Sequence, residues 1–438
     1  SPNKLHQNWF GPDQHYSNPY YARHRFKNSD ERWRAFGYYS ANVNLTDWLK
    51  FNAKYSFDYY RTRLQTSDLS LGDGAISTDG TGWQGKLVND GMTRAEENHF
   101  EQNIQFLLMG DNQLAKKWRL GYTAGANIMY LKFEQLSASV QNMLEKDNWI
   151  FNTGNKLTSA LDDGHSRAMY SAFASAQLAY DEWLSLDITA RNDWSSTLPK
   201  KNNSFFYPSA SLSWVFSDFM RSIDHKLPSW ITFAKLRVSA AQVGKDPAPY
   251  NLYNVRKYQF EMGNRKPINN TIKLNANLKP EIKTSYEVGV DMKFLDNRLG
   301  FDFTYYYNTT KNQAMLVDAS SPWTQQWVNA GKINNTGVEF MLYGTPVKTR
   351  DFQFDITANL AHNSSTVKEL ADGVNRVYFA GDSNMPVKVG AVKGGKLGDI
   401  FANNLMQRDA QGRVIIGADG LPMAATGDGN LEQYLLDH

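Results

Sequence analysis

The stretch from Leu278 to Asn312 most strongly constrains what this chain can fold into. It contains two runs in which apolar and polar residues strictly alternate, joined at Leu295-Asp296-Asn297-Arg298. Because successive side chains of a strand point to opposite faces, a period of two predicts a hairpin with one apolar and one polar face. The apolar positions are Tyr286, Val288, Val290, Met292, Phe294, Leu299, Phe301, Phe303, Tyr305 and Tyr307. Such a hairpin, with aromatic residues near its ends, is typical of a wall between lipid and a water-filled lumen.

The same alternation recurs along most of the chain and predicts about twelve strands, paired as hairpins. Besides the two arms described above, the predicted strands are 36–45, 49–59, 100–109, 118–130, 171–180, 184–194, 204–216, 233–243, 337–343 and 352–360. Short turns join the strands of each hairpin, whereas longer polar segments such as 65–96, 130–166 and 245–283 connect one hairpin to the next. Bacterial outer-membrane barrels have this asymmetry, with short periplasmic turns and long outer loops.

These strands predict an all-β fold, a transmembrane antiparallel β-barrel. A soluble β-sandwich or propeller is an alternative, but its strands average about 5 to 6 residues, whereas membrane strands run to about ten. A repeat solenoid would require a fixed sequence period, which this chain lacks. We expect residues 1–33 to form a loop and strand entry region, 34–370 the barrel strands with long outer loops, and 371–438 a Gly/Asp-rich loop region of the same barrel.

The amino-acid composition fits strands better than helices in a membrane. Aromatic residues make up 13% of the chain, yet its mean hydropathy is negative. A barrel reconciles these two properties, because only alternate residues of each strand contact lipid. No apolar run approaches the roughly 20 residues that a membrane helix needs. The sequence has no cysteine, which excludes disulfides and thiolate metal sites.

The charge distribution and the catalytic motifs argue against nucleic-acid binding and against catalysis. The formal net charge is only +3, and the basic residues are scattered instead of forming the patch that nucleic acid requires. The eight histidines lie far apart, none is part of an H-E-x-x-H run, and no G-x-S-x-G elbow is present. A barrel-type outer-membrane hydrolase with a dyad built from distant loops is the enzyme alternative. We predict no catalytic residue, no metal and no cofactor.

Aromatic residues in the outward loops are the candidate ligand-binding residues. Flat, rigid rings stack on the apolar faces of sugar rings and on peptide side chains at a low entropic cost. The candidates are Trp83, Trp149, Tyr250, Tyr253, Tyr258, Trp323 and Trp327. The alternative is that these rings lie at the level of the lipid headgroups or pack loop against loop. We assign Trp48, Trp183 and Trp214, which lie at or next to short turns, to the aromatic girdle on the periplasmic side.

The polar faces of the predicted strands carry charges of both signs. The predicted lumen-facing charges are Lys50, Lys54, Asp58, Asp187, Arg191, Asp193, Lys235, Arg237, Glu287, Asp291, Lys293, Asp302 and Asp355. We expect most of them to be solvated or paired. Because neither sign dominates, they indicate neither a basic pore for phosphate nor an acidic pore for ferric siderophores.

Five segments of this sequence resemble the SusC/RagA class of TonB-dependent outer-membrane transporters. They are ARNDWSSTLP from Ala190, NSFFYPSASLSWVFSDF from Asn203, KLRVSAAQVGKD from Lys235, LKPEIKTSYEVG from Leu278 and VNAGKINNTGVEF from Val328. Their order and spacing match the family, and the resemblance extends from about Asn18 to about Asp399. The resemblance implies a barrel of about 22 strands with an N-terminal plug and a TonB box. We therefore expect this chain to be the central part of a longer transporter.

The resemblance also implies a function and a set of partners. It implies active import of a nutrient across the outer membrane, with an oligosaccharide as the first expected cargo and a peptide as the second. The implied partners are a SusD-like lipoprotein lid, TonB with its inner-membrane energising complex, and outer-membrane lipid. A dimer of transporter and lid pairs is a further expectation. A passive porin remains the alternative from another functional class.

Overall fold

The structure, a computed structural model, is built almost entirely of strands. It describes residues 23, 27–68, 91–143, 149–225, 227–254, 257–261, 264–268, 270–380, 387–402, 406–423 and 432–434. The described strands are β1 (Lys27–Asn44), β2 (Leu49–Asp68), β3 (Gly91–Ala115), β4 (Trp118–Met143), β5 (Gly154–Tyr180), β6 (Leu184–Ser195), β7 (Ser204–Val215), β8 (Ile231–Lys245), β9 (Lys257–Glu261), β10 (Asn264–Ile268), β11 (Ile272–Lys273), β12 (Glu281–Phe294), β13 (Leu299–Lys311), β14 (Ala314–Asp318), β15 (Gln325–Asn329), β16 (Lys332–Lys348), β17 (Gln353–Glu369), β18 (Arg376–Ala380), β19 (Val387–Val392), β20 (Asp399–Ala402) and β21 (Glu432–Tyr434).

Two short helical segments are described in full. These are the 3-10 helix Phe151–Thr153 and the helix α1, Phe216–Ser222, which follows β7. Within the ranges given above, none of the helices combines the length and the apolar character needed to cross a membrane.

Twelve strands form one sheet in the order β1-β2-β3-β4-β5-β6-β7-β8-β12-β13-β16-β17. Neighbours from β6 onward pair antiparallel. The twelve predicted strands are therefore adjacent in the predicted order, and the all-β prediction is confirmed. Shorter sheets of two, three and four strands lie outside this main sheet, in the orders β10-β9, β11-β15-β14 and β18-β19-β20-β21.

The register of the main sheet keeps apolar and polar positions on separate faces. Val288 of β12 is in register with Val238 of β8 and Tyr305 of β13, and Tyr305 is in register with Val338 of β16. One position earlier, Glu287 is in register with polar residues on both neighbouring strands. A sheet keeps two chemically different faces only if every strand has the same phase, so the predicted period of two is confirmed here.

The hairpin turns form where the sequence tolerates left-handed backbone. Asp296 and Asn297 in the β12–β13 turn have φ of 56° and 65°, in a region where Asp and Asn are enriched among non-glycine residues. Asp181 in the β5–β6 turn has φ of 51°, and its carboxylate lies 2.6 Å from the Lys117 ammonium in the neighbouring turn. This hydrogen bond raises the pKa of Lys117. The β3–β4 turn and the β5–β6 turn are thus linked by their own side chains.

Aromatic side chains follow the apolar face near the short turns. The rings of Trp230 and Phe294 are 5.7 Å apart, those of Phe294 and Phe301 are 6.1 Å apart, and those of Phe301 and Phe340 are 6.0 Å apart. A second group lies at the β5–β6 turn and α1 and comprises Trp118, Tyr180, Trp183, Trp214, Phe216 and Phe219. Trp183 and Trp214 occupy the turn positions expected of girdle residues, and their assignment to the girdle stays a prediction.

The contacts divide the chain into two compact units, one formed by residues 1–42, 52–106 and 127–169 and the other by the remaining residues. In the first unit, the Arg34 guanidinium lies 2.5 Å from the Asp58 carboxylate, and the Tyr60 ring stacks on His99 at 4.5 Å. The second unit contains β6 to β21 together with the turns described above.

The second unit has a small hydrophobic core outside the main sheet. Met315, Val317, Ala330 and Val377 are buried together there, and Val328, Leu370, Ala371 and Val374 pack against them. The predicted loop 245–283 likewise contains β9, β10 and β11, and the predicted Gly/Asp-rich loop region contains β18 to β21. Short strands therefore occur within both predicted loop segments, and the assignment of these segments to outer loops stays a prediction.

Candidate functional site

The predicted ligand-binding aromatic residues that the structure describes lie in several different segments of the chain, and their binding role stays a prediction. Tyr250 and Tyr253 lie between β8 and β9, and each exposes 64% of its surface. Trp149 lies before the 3-10 helix, where its carbonyl accepts a 2.8 Å hydrogen bond from Arg94 Nη2. Its indole N–H is buried and has no acceptor in the described part of the chain. Trp83 is outside the described residues. Tyr258 lies in β9, where the structure describes its backbone alone.

Trp323 and Trp327 belong to a segment that is hydrogen-bonded to the loop before β12. Trp327 lies in β15, which pairs antiparallel with β14 and parallel with β11. The Trp327 carbonyl accepts a 3.1 Å hydrogen bond from Asn275 Nδ2, and the Thr324 N–H donates to the Thr271 carbonyl at 2.8 Å. Both indoles are half-buried. This segment therefore holds two indole rings on a hydrogen-bonded framework.

A buried polar cluster joins two of the sequence motifs that carry the family resemblance. The Ser195 hydroxyl donates to Asp246 Oδ2 at 2.5 Å, and the Thr197 hydroxyl donates to the same oxygen at 2.8 Å. All three side chains are buried. Asn202 Nδ2 also donates to the carbonyl of the fully buried Leu278 at 2.9 Å. Buried hydroxyls and carboxylates need such partners, so this cluster fixes the ends of β6, β8 and β12 relative to one another.

Several of the charges predicted to face the lumen are paired with one another. The Arg191 guanidinium donates to Asp193 Oδ1 and to Ser171 Oγ, each at 2.8 Å. Arg237 Nη2 contacts both carboxylate oxygens of Asp302 at 2.8 Å. The expectation of pairing is confirmed for these residues.

An open cavity of about 400 Å³ on the polar face of the main sheet was not predicted. We call it the Tyr306 cavity, and its lining residues are Lys283, Glu287, Tyr306, Asn308, Asn335, Glu339 and Asn363. They come from β12, β13, β16 and β17, which are consecutive in the sheet. The alternation identified the polar face to which they belong, but alternation alone gives no signal for a concavity.

Metal ligation has no support within the residues that the structure describes. No group of three or more His, Asp or Glu side chains is placed there to hold a metal ion. The arrangement provides instead a two-faced sheet, paired charges and polar groups on one face, and aromatic residues on outward segments.

Comparison with known proteins relates the chain to one family. The family model described as "TonB dependent receptor-like, beta-barrel" matches residues 2–390. The TonB-dependent receptor SusC of Bacteroides thetaiotaomicron is 28% identical over 209 residues, which cover 44% of this chain and 20% of SusC. A TonB-dependent receptor of Formosa agariphila is 26% identical over 215 residues, covering 47% of this chain and 21% of the receptor. The matches thus span about a fifth of these relatives.

Solved structures show the same fold. The RagAB peptide transporter superimposes with a TM-score of 0.73 at 19% identity, covering 90% of this chain and 42% of that chain. The RagAB peptide importer in its closed-closed state gives a TM-score of 0.75 at 18% identity, with 96% and 46% covered. At these identities the likeness concerns the fold alone.

Proposed function

The chain belongs to the TonB-dependent receptor-like β-barrel family, and we propose that it forms part of the wall of a transporter that imports a nutrient across the outer membrane. The SusC/RagA resemblance found in the sequence agrees with this membership. The fold class is accordingly that of a transmembrane antiparallel β-barrel.

The observation that carries this proposal is the separation of the two faces across β8, β12, β13, β16 and β17. Val288, Val238, Tyr305 and Val338 share one face, whereas Glu287 and Tyr306 share the other. A sheet with an aliphatic and aromatic face outside and a polar face inside suits a barrel wall in lipid. A soluble fold would instead bury the apolar face against a second layer.

We propose an oligosaccharide as the first candidate cargo and a peptide as the second. The oligosaccharide follows from the family resemblance found in the sequence, and the RagAB peptide transporter, which shares the fold, supports the peptide. Trp149, Tyr250, Tyr253, Trp323 and Trp327 are the proposed contacts on the outward segments, together with Trp83 and Tyr258. Two of the predicted lumen-facing ion pairs, Arg191 with Asp193 and Arg237 with Asp302, are formed within the wall itself.

We further propose that a SusD-like lipoprotein covers the outer mouth and that TonB supplies energy through a plug domain. Two such transporter and lid pairs would form a dimer. A passive porin is the rival, because it also has a two-faced barrel wall. We propose no catalytic activity, and the barrel-type hydrolase is the enzymatic rival.

Uptake in living cells separates the transporter from its rivals. The complete gene would be expressed in a strain that lacks it, and uptake of labelled oligosaccharides and peptides would be measured before and after a protonophore collapses the proton gradient. We expect uptake to stop and a lipoprotein to co-purify with the barrel. Uptake that continues unchanged would refute active transport in favour of a porin. Cargo that is cleaved by the purified protein would favour the hydrolase.

A further inference from the structure

The Tyr306 cavity is organised by one straight row of residues across four strands. Glu287 of β12 is in register with Tyr306 of β13, which is in register with Gly337 of β16, and Gly337 with Asn363 of β17. Gly337, the third residue of this row, has no side chain, which leaves room on the polar face between Tyr306 and Asn363. The register therefore accounts for the space in which the Tyr306 ring lies.

The hydroxyl end of the Tyr306 ring occupies this gap. A Cβ on Gly337 would stand 2.3 Å from the Tyr306 hydroxyl oxygen and 2.4 Å from its Cζ. The hydroxyl donates a 3.2 Å hydrogen bond to Asn363 Oδ1, which holds the ring in this orientation. Tyr306 thus lies close to the Gly337 backbone and also lines the cavity. A ring fixed in this way is a stacking platform that needs no further ordering to bind.

Amide and hydroxyl groups surround the platform, and two of their atoms lack partners. Asn308 is 8% exposed, and its Oδ1 has no hydrogen-bond donor among the described residues. In the next row, Asn308 is in register with Asn335, and Asn335 with Ser365, whose buried Oγ likewise has no partner there. A buried polar atom without a partner carries a free-energy cost, which a bound water molecule would remove.

The cavity carries charged groups of both signs beside its amide groups. Glu287 and Glu339 contribute two carboxylates, and Lys283 contributes one ammonium group. An anionic ligand would meet the carboxylates, and a cationic ligand would meet the ammonium group. Hydroxyl groups, in contrast, donate to carboxylates and accept from ammonium and amide groups. The volume of about 400 Å³ lies within the range of about 300 to 1,000 Å³ that is usual for ligand clefts.

We propose that the Tyr306 cavity is a subsite on the inner wall for one ring of a neutral oligosaccharide. Tyr306 stacks on the apolar face of the sugar, Asn308 and Asn335 exchange hydrogen bonds with its hydroxyls, and Glu287 and Glu339 accept from them. This inference rests on the proposed function, because it assumes that the polar face is the lumen of an importer.

The test measures binding of saccharides to the purified full-length transporter by titration calorimetry. The probes are maltohexaose, cellohexaose, xylohexaose and mannohexaose, and an alternating alanine-serine hexapeptide is the peptide probe. Tyr306→Leu removes the platform, and Asn335→Leu removes an amide from the cavity. Tyr305→Leu is the matched control, because the neighbouring residue on the same strand belongs to the opposite face.

We expect at least one hexasaccharide to bind the native protein, and its Kd to rise about tenfold in Tyr306→Leu, in line with the loss of one stacked ring. Asn335→Leu should raise the Kd as well, and Tyr305→Leu should leave it unchanged. Heat-modifiable migration on gels confirms that each variant is folded. Binding of no hexasaccharide, binding of the hexapeptide alone, or equal Kd values for Tyr306→Leu and Tyr305→Leu would overturn the subsite.

The same proteins distinguish this result from failure of the proposed function. Uptake that depends on the proton gradient but is unaffected by Tyr306→Leu would retain the importer and remove the subsite. Saccharide binding that is weakened by Tyr306→Leu, without gradient-dependent uptake, would retain the subsite and remove the importer.

Discussion

Tyr343 of β16 is in register with Gly300 of β13, and its ring covers the glycine so closely that a Cβ there would stand 2.3 Å from the phenol oxygen. The nearest atoms to that Cβ all belong to the Tyr343 side chain. The two residues therefore form a cross-strand pair in which the absence of one side chain makes space for the other. Tyr306 and Gly337 form a second pair of this kind.

Gly300→Ala should destabilise the barrel by about 1 to 3 kcal/mol, because the added methyl group displaces a packed ring. The free energy of unfolding is measured by urea titration of the protein in lipid vesicles. Gly121→Ala is the matched control, since no atom lies within 4 Å of a Cβ at that strand glycine.

A double-mutant cycle identifies the cause of this effect. In a Tyr343→Ala background, Gly300→Ala should cost much less, because the ring that it displaces is gone. If Gly300→Ala costs the same in both backgrounds, the close approach of the ring is not what makes glycine necessary at that position.

The β12–β13 hairpin could be predicted because its two faces differ in polarity along its whole length. In β4 this difference ends near residue 130, although the strand continues to Met143. Beyond residue 130 the sequence LKFEQLSASVQNM no longer separates apolar from polar residues by a strict period of two. The predicted strand 118–130 was therefore too short. Strand ends that carry polar residues on both faces look like loop in a sequence.

Contacts between distant segments could not be predicted from local patterns. Ser195 and Asp246 are 51 residues apart, and nothing near either residue indicates the other. The Tyr306 cavity depends in the same way on the register of four strands, of which two are joined through β14 and β15. The sequence indicated which face these residues occupy, and the pairing of strands determines which of them meet.

Trp323→Ala together with Trp327→Ala should weaken cargo binding about fivefold or more while the barrel still assembles, because stacking of aromatic rings contributes roughly 0.5 to 1.5 kcal/mol per pair. The measurement is the Kd of the transported cargo for the full-length protein. Trp48→Ala, in the short β1–β2 turn, is the control and should leave the Kd unchanged. An unaltered Kd in the double variant would assign the two indoles to loop packing.

The turn at Asp409 should respond to acid in a defined direction. The Asp409 carboxylate accepts hydrogen bonds from the Arg413 N–H, the Arg413 guanidinium and the Gln411 N–H. These bonds lower the pKa of Asp409, with the Arg413 N–H as the largest cause. A carboxyl with a depressed folded pKa stabilises the turn above its unfolded pKa of about 3.9, and this stabilisation is lost as the pH falls through the folded value.

Hydrogen exchange of the Arg413 amide reports on this turn. Protection should be retained at neutral pH and decrease only below about pH 4, and Asp409→Asn should lower protection already at neutral pH. Asp419→Asn is the control, since Asp419 accepts from the Leu421 N–H in the neighbouring turn. Equal protection in the two variants would mean that the Asp409 charge does not stabilise the turn.

Asp246→Ala should lower the free energy of unfolding by about 1 to 3 kcal/mol, because it leaves the buried hydroxyls of Ser195 and Thr197 without their acceptor. In the Asp246→Ala background, Ser195→Ala should cost less than it does in the native protein, since the hydrogen bond from Ser195 to Asp246 is already absent. Asp296→Asn in the exposed β12–β13 turn keeps a residue that tolerates positive φ, so it is the control and should stay within about 0.5 kcal/mol of the native protein. Urea titration in vesicles provides all four values. Should Asp246→Ala be as mild as Asp296→Asn, the cluster would not be what holds the ends of β6 and β8 together, and the positions of the outward segments that follow them would depend on other contacts.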